Sequence, residues 1–299
     1  MNTQVLEKET QEVYGPNSFN PFLEGEKLFD FPLLNDFERL ESKKVDDKLS
    51  QFERVVKSSV SNIGNLYSNG MILSGAPGTG KTYNTTKWLD ELIDNNLIDN
   101  YSVVSGKITP VTLFQFLREN NGPNNVIVLD DCDVFWNLES LNILKAAMQT
   151  KSEYGERKVT YGSRGQIQSF IFEGYVIMIT NHEFKTIPND HIRAVLDRVH
   201  LMNLNLTTQD LALKNTEIVE DFINNKIIDD KVKIGLKDLY RNEISQFIEN
   251  EVFQKADVQF SVRFIMKIVD LFTMFGNSWK QFSTEFKKLE RINNGIVTA

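Results

Sequence analysis

Gly75-Ala76-Pro77-Gly78-Thr79-Gly80-Lys81-Thr82 is the stretch on which the reading of this chain turns. It fills every fixed position of the pattern G-x-x-x-x-G-K-[ST]. Gly75, Gly78 and Gly80 lack a Cβ, so the backbone can adopt unusual dihedrals and turn its N–H groups inward around phosphate oxygens. Lys81 adds a point charge for the β- and γ-phosphates of a nucleotide, and Thr82 offers a hydroxyl to Mg²⁺. The context agrees. Residues 71–74 read as a strand, and 81–94 as a helix with Trp88, Leu89, Leu92 and Ile93 on one face. A helix beginning there presents its positive end to the same anion.

Further along, Val126, Ile127, Val128 and Leu129 form a wholly apolar run that ends in Asp130 and Asp131. A buried strand ending in a carboxylate places that group at the carboxyl edge of a sheet, beside the phosphate loop. There Asp130 would hold Mg²⁺, usually through water, and Asp131 would orient an attacking water. Asp133 is expected to cap the next helix or to support the loop.

Working outward, strands are expected at 71–74, 101–104, 126–129, 176–179 and 199–204, and helices at 81–94, 109–119, 138–150 and 191–196. Short apolar strands alternating with helices indicate a parallel sheet covered on both faces. Before the first strand, Phe37, Leu40, Val45, Leu49, Phe52, Val55 and Val56 recur at helical spacing from Asp36 to about Ser61. After Leu206 the strands cease. Residues 209–226, 236–251, 260–275 and 279–291 read as helices, the best with an apolar stripe of Phe264, Ile265, Ile268, Val269 and Phe272. The expected class is α/β: an arm over 1–35, an α/β core over 36–206 with a central parallel sheet flanked by helices, and a small all-α domain over 207–299.

Composition sets outer bounds. The chain has 299 residues and a net charge of −8, with 41% hydrophobic and 25% charged residues, which excludes a fibrous or wholly disordered protein. No apolar run approaches the roughly 20 residues that span a bilayer. Residues 1–15 carry Glu7, Lys8, Glu9 and Glu12 and no apolar h-region, so no signal peptide is expected. Cys132, the single cysteine, cannot form an internal disulfide, and with three scattered His it builds no metal cluster. The expected setting is intracellular. The acidic balance argues against a protein that coats nucleic acid generally, while leaving room for a local basic patch.

The motifs together resemble the AAA+ ATPases. Gly75 to Thr82 matches their Walker A loop, and Asp130-Asp131 their Walker B acids. Val176 to Asn181 resembles the sensor 1 strand, with Asn181 as the polar residue that positions water near the γ-phosphate. The segment Ala194 to Val199 resembles the one carrying the arginine finger, which Arg198 fits best and Arg193 second. Ser261-Val262-Arg263 resembles sensor 2 at the start of a lid helix, with Arg263 reaching the phosphates. The stretch from Leu129 to Asn181 is also similar to poorly characterised ATPases of large tailed bacteriophages. The resemblance implies ATP and Mg²⁺, hydrolysis, and a homo-oligomeric ring, most often a hexamer, whose neighbouring subunit supplies the finger. It also implies the cytoplasm, of an infected bacterial host if the chain is viral. One departure stands out. Most of the family have Asp-Glu where this chain has Asp130-Asp131, one methylene shorter. A misplacement on the order of 1 Å can cost about 100-fold in rate. Either the loop compensates, or the protein is mainly an ATP-dependent switch.

The family's pore loops correspond to residues 105–108 and to roughly 156–169. The second reads as a β-hairpin turning at 162–165. Lys151, Arg157, Lys158 and Arg164 against Glu153 and Glu156 give residues 151–170 a net +2. Cations with an aromatic nearby, here Tyr161, suit a grip on nucleic acid, and an ordinary solvated face fits the same residues. Lys107 and Ile108 could equally grip polypeptide. Phe19, Phe22, Phe29 and Phe31 make the arm too apolar for a free tail, so it packs on its own chain or on a protein partner. The expected function is an ATPase doing work on nucleic acid as motor or loader. The alternatives are a protein-remodelling ATPase and an ATP-locked scaffold with little hydrolysis.

Overall fold

The computed structural model describes residues 36–64, 66–149, 156–163, 165–182, 184, 190–207, 210, 211, 214 and 261–275. The expected arm, and the expected helices over 209–226, 236–251 and 279–291, lie outside the described residues or almost so. The chain divides into two compact units, Asp46–Asn205 and a second made of the flanking segments.

The first unit is built on a five-stranded sheet. In chain order the elements are α1 (Asp36–Val60), whose residues 36–45 fall in the other unit, β1 (Gly70–Ser74), α2 (Lys81–Asp94), β2 (Asn100–Ser105), α3 (Pro110–Glu119), β3 (Asn125–Asp130), a 3-10 turn (Asp133–Trp136), α4 (Leu138–Ala147), β4 (Lys158–Ser163), β5 (Gln166–Ile171), β6 (Tyr175–Thr180), α5 (Asp190–Leu196) and β7 (His200–Asn203). The strands lie side by side in the order β2-β3-β6-β1-β7, every pair parallel. β1 and β6 are buried along their whole length, and β3 at all but its two end residues. Helices on both faces exclude water from central parallel strands, so these three read as continuous apolar runs without alternation. From the helix side, Phe52 of α1 and Trp88 of α2 meet with ring centroids 5.7 Å apart.

Local chemistry starts the helices. Thr109 caps α3, its hydroxyl accepting from the Thr112 N–H at 3.2 Å, with Pro110 in the first turn where its missing donor costs nothing. Asn137 caps α4 by accepting from the Ser140 N–H at 3.0 Å. This corrects one of the two roles expected for Asp133, that of helix cap. That residue opens the 3-10 turn, and the cap belongs to the amide four positions later.

β4 and β5 form a separate antiparallel hairpin, Val159 opposite Phe170 and Tyr161 opposite Gln168. In the second unit the described helix is α6 (Val262–Phe275), on which Phe264 and Ile268 are buried. No helix among the described residues is long and apolar enough to cross a membrane.

Candidate functional site

Parallel register gathers the site. Ser74 lies opposite Thr180, Ile179 opposite Asp130, Asp130 opposite Ser105, and Ser74 opposite Asn203. The carboxyl ends of all five strands therefore form one edge, and each functional segment begins where its strand stops.

At that edge the loop after β1 closes on itself. Gly78 and Gly80 have φ of 73° and 80°, in the left-handed region that favours glycine. Gly75 has φ of 150°, and a Cβ on it would lie 2.6 Å from the carbonyl oxygen of Leu204. The Thr79 hydroxyl donates to the Ala76 carbonyl at 2.9 Å and pins the far side of the loop, while Ala76 and Pro77 form its exposed crest. Gly80 starts α2 with no side-chain cap, so the helix-end N–H groups face the loop's interior without a competing side-chain oxygen.

Lys81 is buried, and its ammonium donates to the carbonyls of Gly75 at 2.9 Å and Ala76 at 2.8 Å and to Oδ1 of Asn181 at 2.9 Å. The Thr82 hydroxyl donates to Oδ1 of Asp130 at 2.9 Å. Next to it, Asp131 takes a left-handed φ of 46° and donates its N–H to the Ile179 carbonyl at 2.9 Å. Its carboxylate accepts from Nδ2 of Asn181 at 3.1 and 3.0 Å. Lys81, Thr82, Asp130, Asp131 and Asn181 thus form one connected cluster drawn from three strand ends. Thr82 and Asp130 pair a hydroxyl with a carboxylate, a hard-oxygen set suited to Mg²⁺, which takes few protein ligands and keeps several waters. Cys132 is buried behind the acids. Its thiol lies 3.3 Å from the Val104 carbonyl, and burial, then the Asp130 charge, push its pKa up to about 11.

Arg198 and Arg193 bond within their own segment of the chain. Arg198 lies in the turn after α5; its guanidinium donates to the carbonyl of Ala194, four residues back in that helix, and the Ser68 hydroxyl donates to the Arg198 carbonyl at 3.0 Å. Arg193 is the more exposed, with 60% of its side chain accessible and an ion pair to Asp190 at 3.5 Å. Arg263 is exposed in the first turn of α6, in the second compact unit.

The hairpin revises the basic face expected there. Arg157 is 3% exposed, donates to the Ala147 carbonyl at 3.0 Å, and lies over the Phe172 ring at 5.2 Å. Desolvation lowers its pKa to about 10, only partly opposed by Glu173. Arg157 is therefore a core cation and not part of a gripping surface. Tyr161 also faces inward, its ring 5.6 Å from Phe114. The outward face carries Lys158 and Thr160, with Ile167 80% exposed near the turn. Arg164 lies outside the described residues. In the earlier loop Lys107 is exposed, but Ile108 is buried and has no surface with which to grip polypeptide.

Over 239 residues the chain is 30% identical to an uncharacterised 36.7 kDa protein of the nrdC-mobD intergenic region of Enterobacteria phage T4, a match covering 75% of this chain and 69% of that one. The chain belongs to that phage protein's family. As the motifs imply, its core is a parallel sheet flanked by helices, with a glycine loop leading from β1 into α2. Among solved structures, AMPPCP-bound DnaA from Aquifex aeolicus is similar at 17% identity and a TM-score of 0.43, over 80% of this chain and 65% of that one. A RuvB variant from Thermotoga maritima is similar at 16% and 0.38, over 75% of this chain and 67% of that one. PCH-2 from C. elegans is similar at 14% and 0.41, over 90% of this chain and 70% of that one. The chain thus spans slightly less than two thirds of the solved DnaA chain. No family model matches it.

Sequence reasoning passed over two features of the site. The carbonyl of Leu204 backs the loop at Gly75, and Arg118 of α3 donates to Gln168 at 3.1 Å, bracing the hairpin from the side. Neither contact has a local signal, since each joins residues far apart in sequence.

Proposed function

We propose that this protein is an ATP hydrolase that takes Mg²⁺ and acts as a homo-oligomeric ring on nucleic acid, in the cytoplasm of an infected host. The observation carrying the reading is the convergence of Lys81, Thr82, Asp130, Asp131 and Asn181 at the mouth of the glycine loop. A triphosphate lying along the loop would meet backbone N–H groups, the start of α2 and the Lys81 ammonium, all electropositive. Thr82 and Asp130 would hold Mg²⁺, which supplies charge neutralisation for the phosphates when bound. Asp131 would take the proton of the attacking water as its oxygen bonds to the γ-phosphorus and the bridging oxygen leaves with ADP. Arg198, or Arg193 as the more exposed, would reach a neighbouring subunit's nucleotide, and Arg263 would report its phosphates to the helical domain.

The nucleic-acid part rests on the outward face of the hairpin, where Lys158 supplies a cation and Ile167 an exposed apolar tip. The N-terminal arm would serve a protein partner.

The test is steady-state ATP turnover with and without single-stranded and duplex DNA, with Lys81→Ala as the blank. Turnover that depends on Lys81 and rises with DNA is the expected result. Turnover indifferent to DNA moves the substrate to protein, and none above the blank removes the hydrolase and leaves an ATP-locked scaffold. For the finger, Arg198→Ala and Arg193→Ala should separate. The true one loses turnover and keeps nucleotide binding.

A further inference from the structure

We infer that Asn181 is a positioning residue that ties Lys81 and Asp131 into one hydrogen-bonded chain, and that a nucleotide must take Lys81 out of that chain to bind. The inference rests on the reading of the loop as a nucleotide site and adds a mechanism of coupling to it.

A side-chain amide has an acceptor at one end and a donor at the other. In Asn181 the acceptor faces the Lys81 ammonium at 2.9 Å, and the donor faces both carboxylate oxygens of Asp131 at 3.1 and 3.0 Å. The opposite orientation would set N–H against ammonium and oxygen against carboxylate, so only one is tolerated. Both contacts are charge-assisted. A cation at one end and an anion at the other polarise the amide in the same sense, at a site where Asn181 and Asp131 are both open to solvent.

The ends of the chain are fixed by backbone. Asp131 is anchored by its N–H to the Ile179 carbonyl, two residues before Asn181 on the same strand end. Its backbone there takes a left-handed φ of 46°. At the other end, an ammonium has three N–H groups, and Gly75, Ala76 and Asn181 accept from Lys81. An incoming phosphate oxygen competes with these acceptors for the ammonium. The two carbonyls belong to the loop that cradles the phosphate, whereas the Asn181 contact crosses to another strand, so it is the one surrendered. Losing the cation depolarises the amide and loosens its hold on Asp131. Occupancy of the loop is thereby passed to the carboxylate that must handle water.

The experiment measures the Kd of Mg-ADP by calorimetry, ADP having no γ-phosphate for Asn181 to touch. Asn181→Ala should tighten ADP about 3- to 10-fold, because Lys81 no longer exchanges a hydrogen bond of ordinary net worth, while turnover falls. Asn181→Asp, nearly isosteric, puts a carboxylate against Lys81 and should weaken ADP at least as much. Asp131→Asn should also tighten ADP, and the double variant Asn181→Ala with Asp131→Asn should gain less than the product of the two single effects. Unchanged or weakened ADP binding in Asn181→Ala overturns the relay, as do strictly multiplicative effects in the cycle, which would mean simple charge repulsion by Asp131. A wild-type protein that binds neither ADP nor ATP refutes the nucleotide reading itself.

Discussion

Replacing Gly75 by alanine tests how the first residue of the loop is held. Two penalties act on the variant. The backbone φ of 150° is a conformation that a residue with a side chain rarely adopts, costing about 1–3 kcal/mol. The added Cβ would also lie 2.6 Å from the Leu204 carbonyl oxygen and 3.3 Å from its carbon. That oxygen is backbone and cannot swing aside as a side chain would. Leu204 is itself tied to β1 by donating its N–H to the Ser74 carbonyl at 2.8 Å. Relief therefore requires the end of β7 or the loop to move, and overpacking of this kind costs about 1–3 kcal/mol. Gly106 supplies the internal control: its φ of 82° carries a dihedral penalty, but a Cβ there meets nothing within 4 Å. Thermal unfolding followed by circular dichroism should place Gly75→Ala below Gly106→Ala by about 4–8 °C, taking about 2 kcal/mol for the difference. Nucleotide affinity should fall in the first variant and hold in the second. Equal melting temperatures for the two would show that the Leu204 carbonyl does not confine the loop.

Three further outcomes are expected. Arg157→Ala leaves the Ala147 carbonyl unpaired and the Phe172 face uncovered, so it should destabilise by about 2 kcal/mol in denaturant titration, without changing the salt dependence of any DNA binding; a changed slope would return Arg157 to the surface. Asn137→Ala removes the cap of α4 and should cost about 1 kcal/mol in urea unfolding, with Asn137→Asp close to wild type; equal loss in both would show that the cap oxygen is not what matters. The Cys132 thiol, raised from 9.0 to about 11 in the folded chain, keeps its proton longer folded than unfolded, so stability is unaffected below pH 9 and declines as pH rises from 9 through 11. Thiol modification at pH 8 should accordingly be slow until denaturant is added, and fast modification of the native protein would contradict the burial.

The phage family's fold was open to reading from the chain because its decisive features are local. A glycine loop between an apolar strand and a helix constrains the backbone within eight residues, and Gly75 to Thr82 carries that information whole. The strands β1, β3 and β6 announced themselves as apolar runs because both faces of each are covered, which leaves no polar alternation to confuse the pattern. Thr109-Pro110 marked the start of α3 through cap and proline chemistry, which acts within three residues.

What the sequence could not state was which ends meet. Strand order is set by long-range packing, and it inserts β6 between the loop strand β1 and the acid strand β3. That insertion brings Asn181 between Lys81 and Asp131, an arrangement linking residues up to 100 positions apart. Arg157 shows the same limit from the other side. Beside Lys158 it looked like one more surface cation, yet alternation along a strand edge and the proximity of Phe172 turned it into the core. A side chain's chemistry is written in its residue type, and local periodicity decides which element it joins. Its neighbours across the sheet are chosen by the burial of the whole apolar surface at once, and only the tertiary structure records that choice.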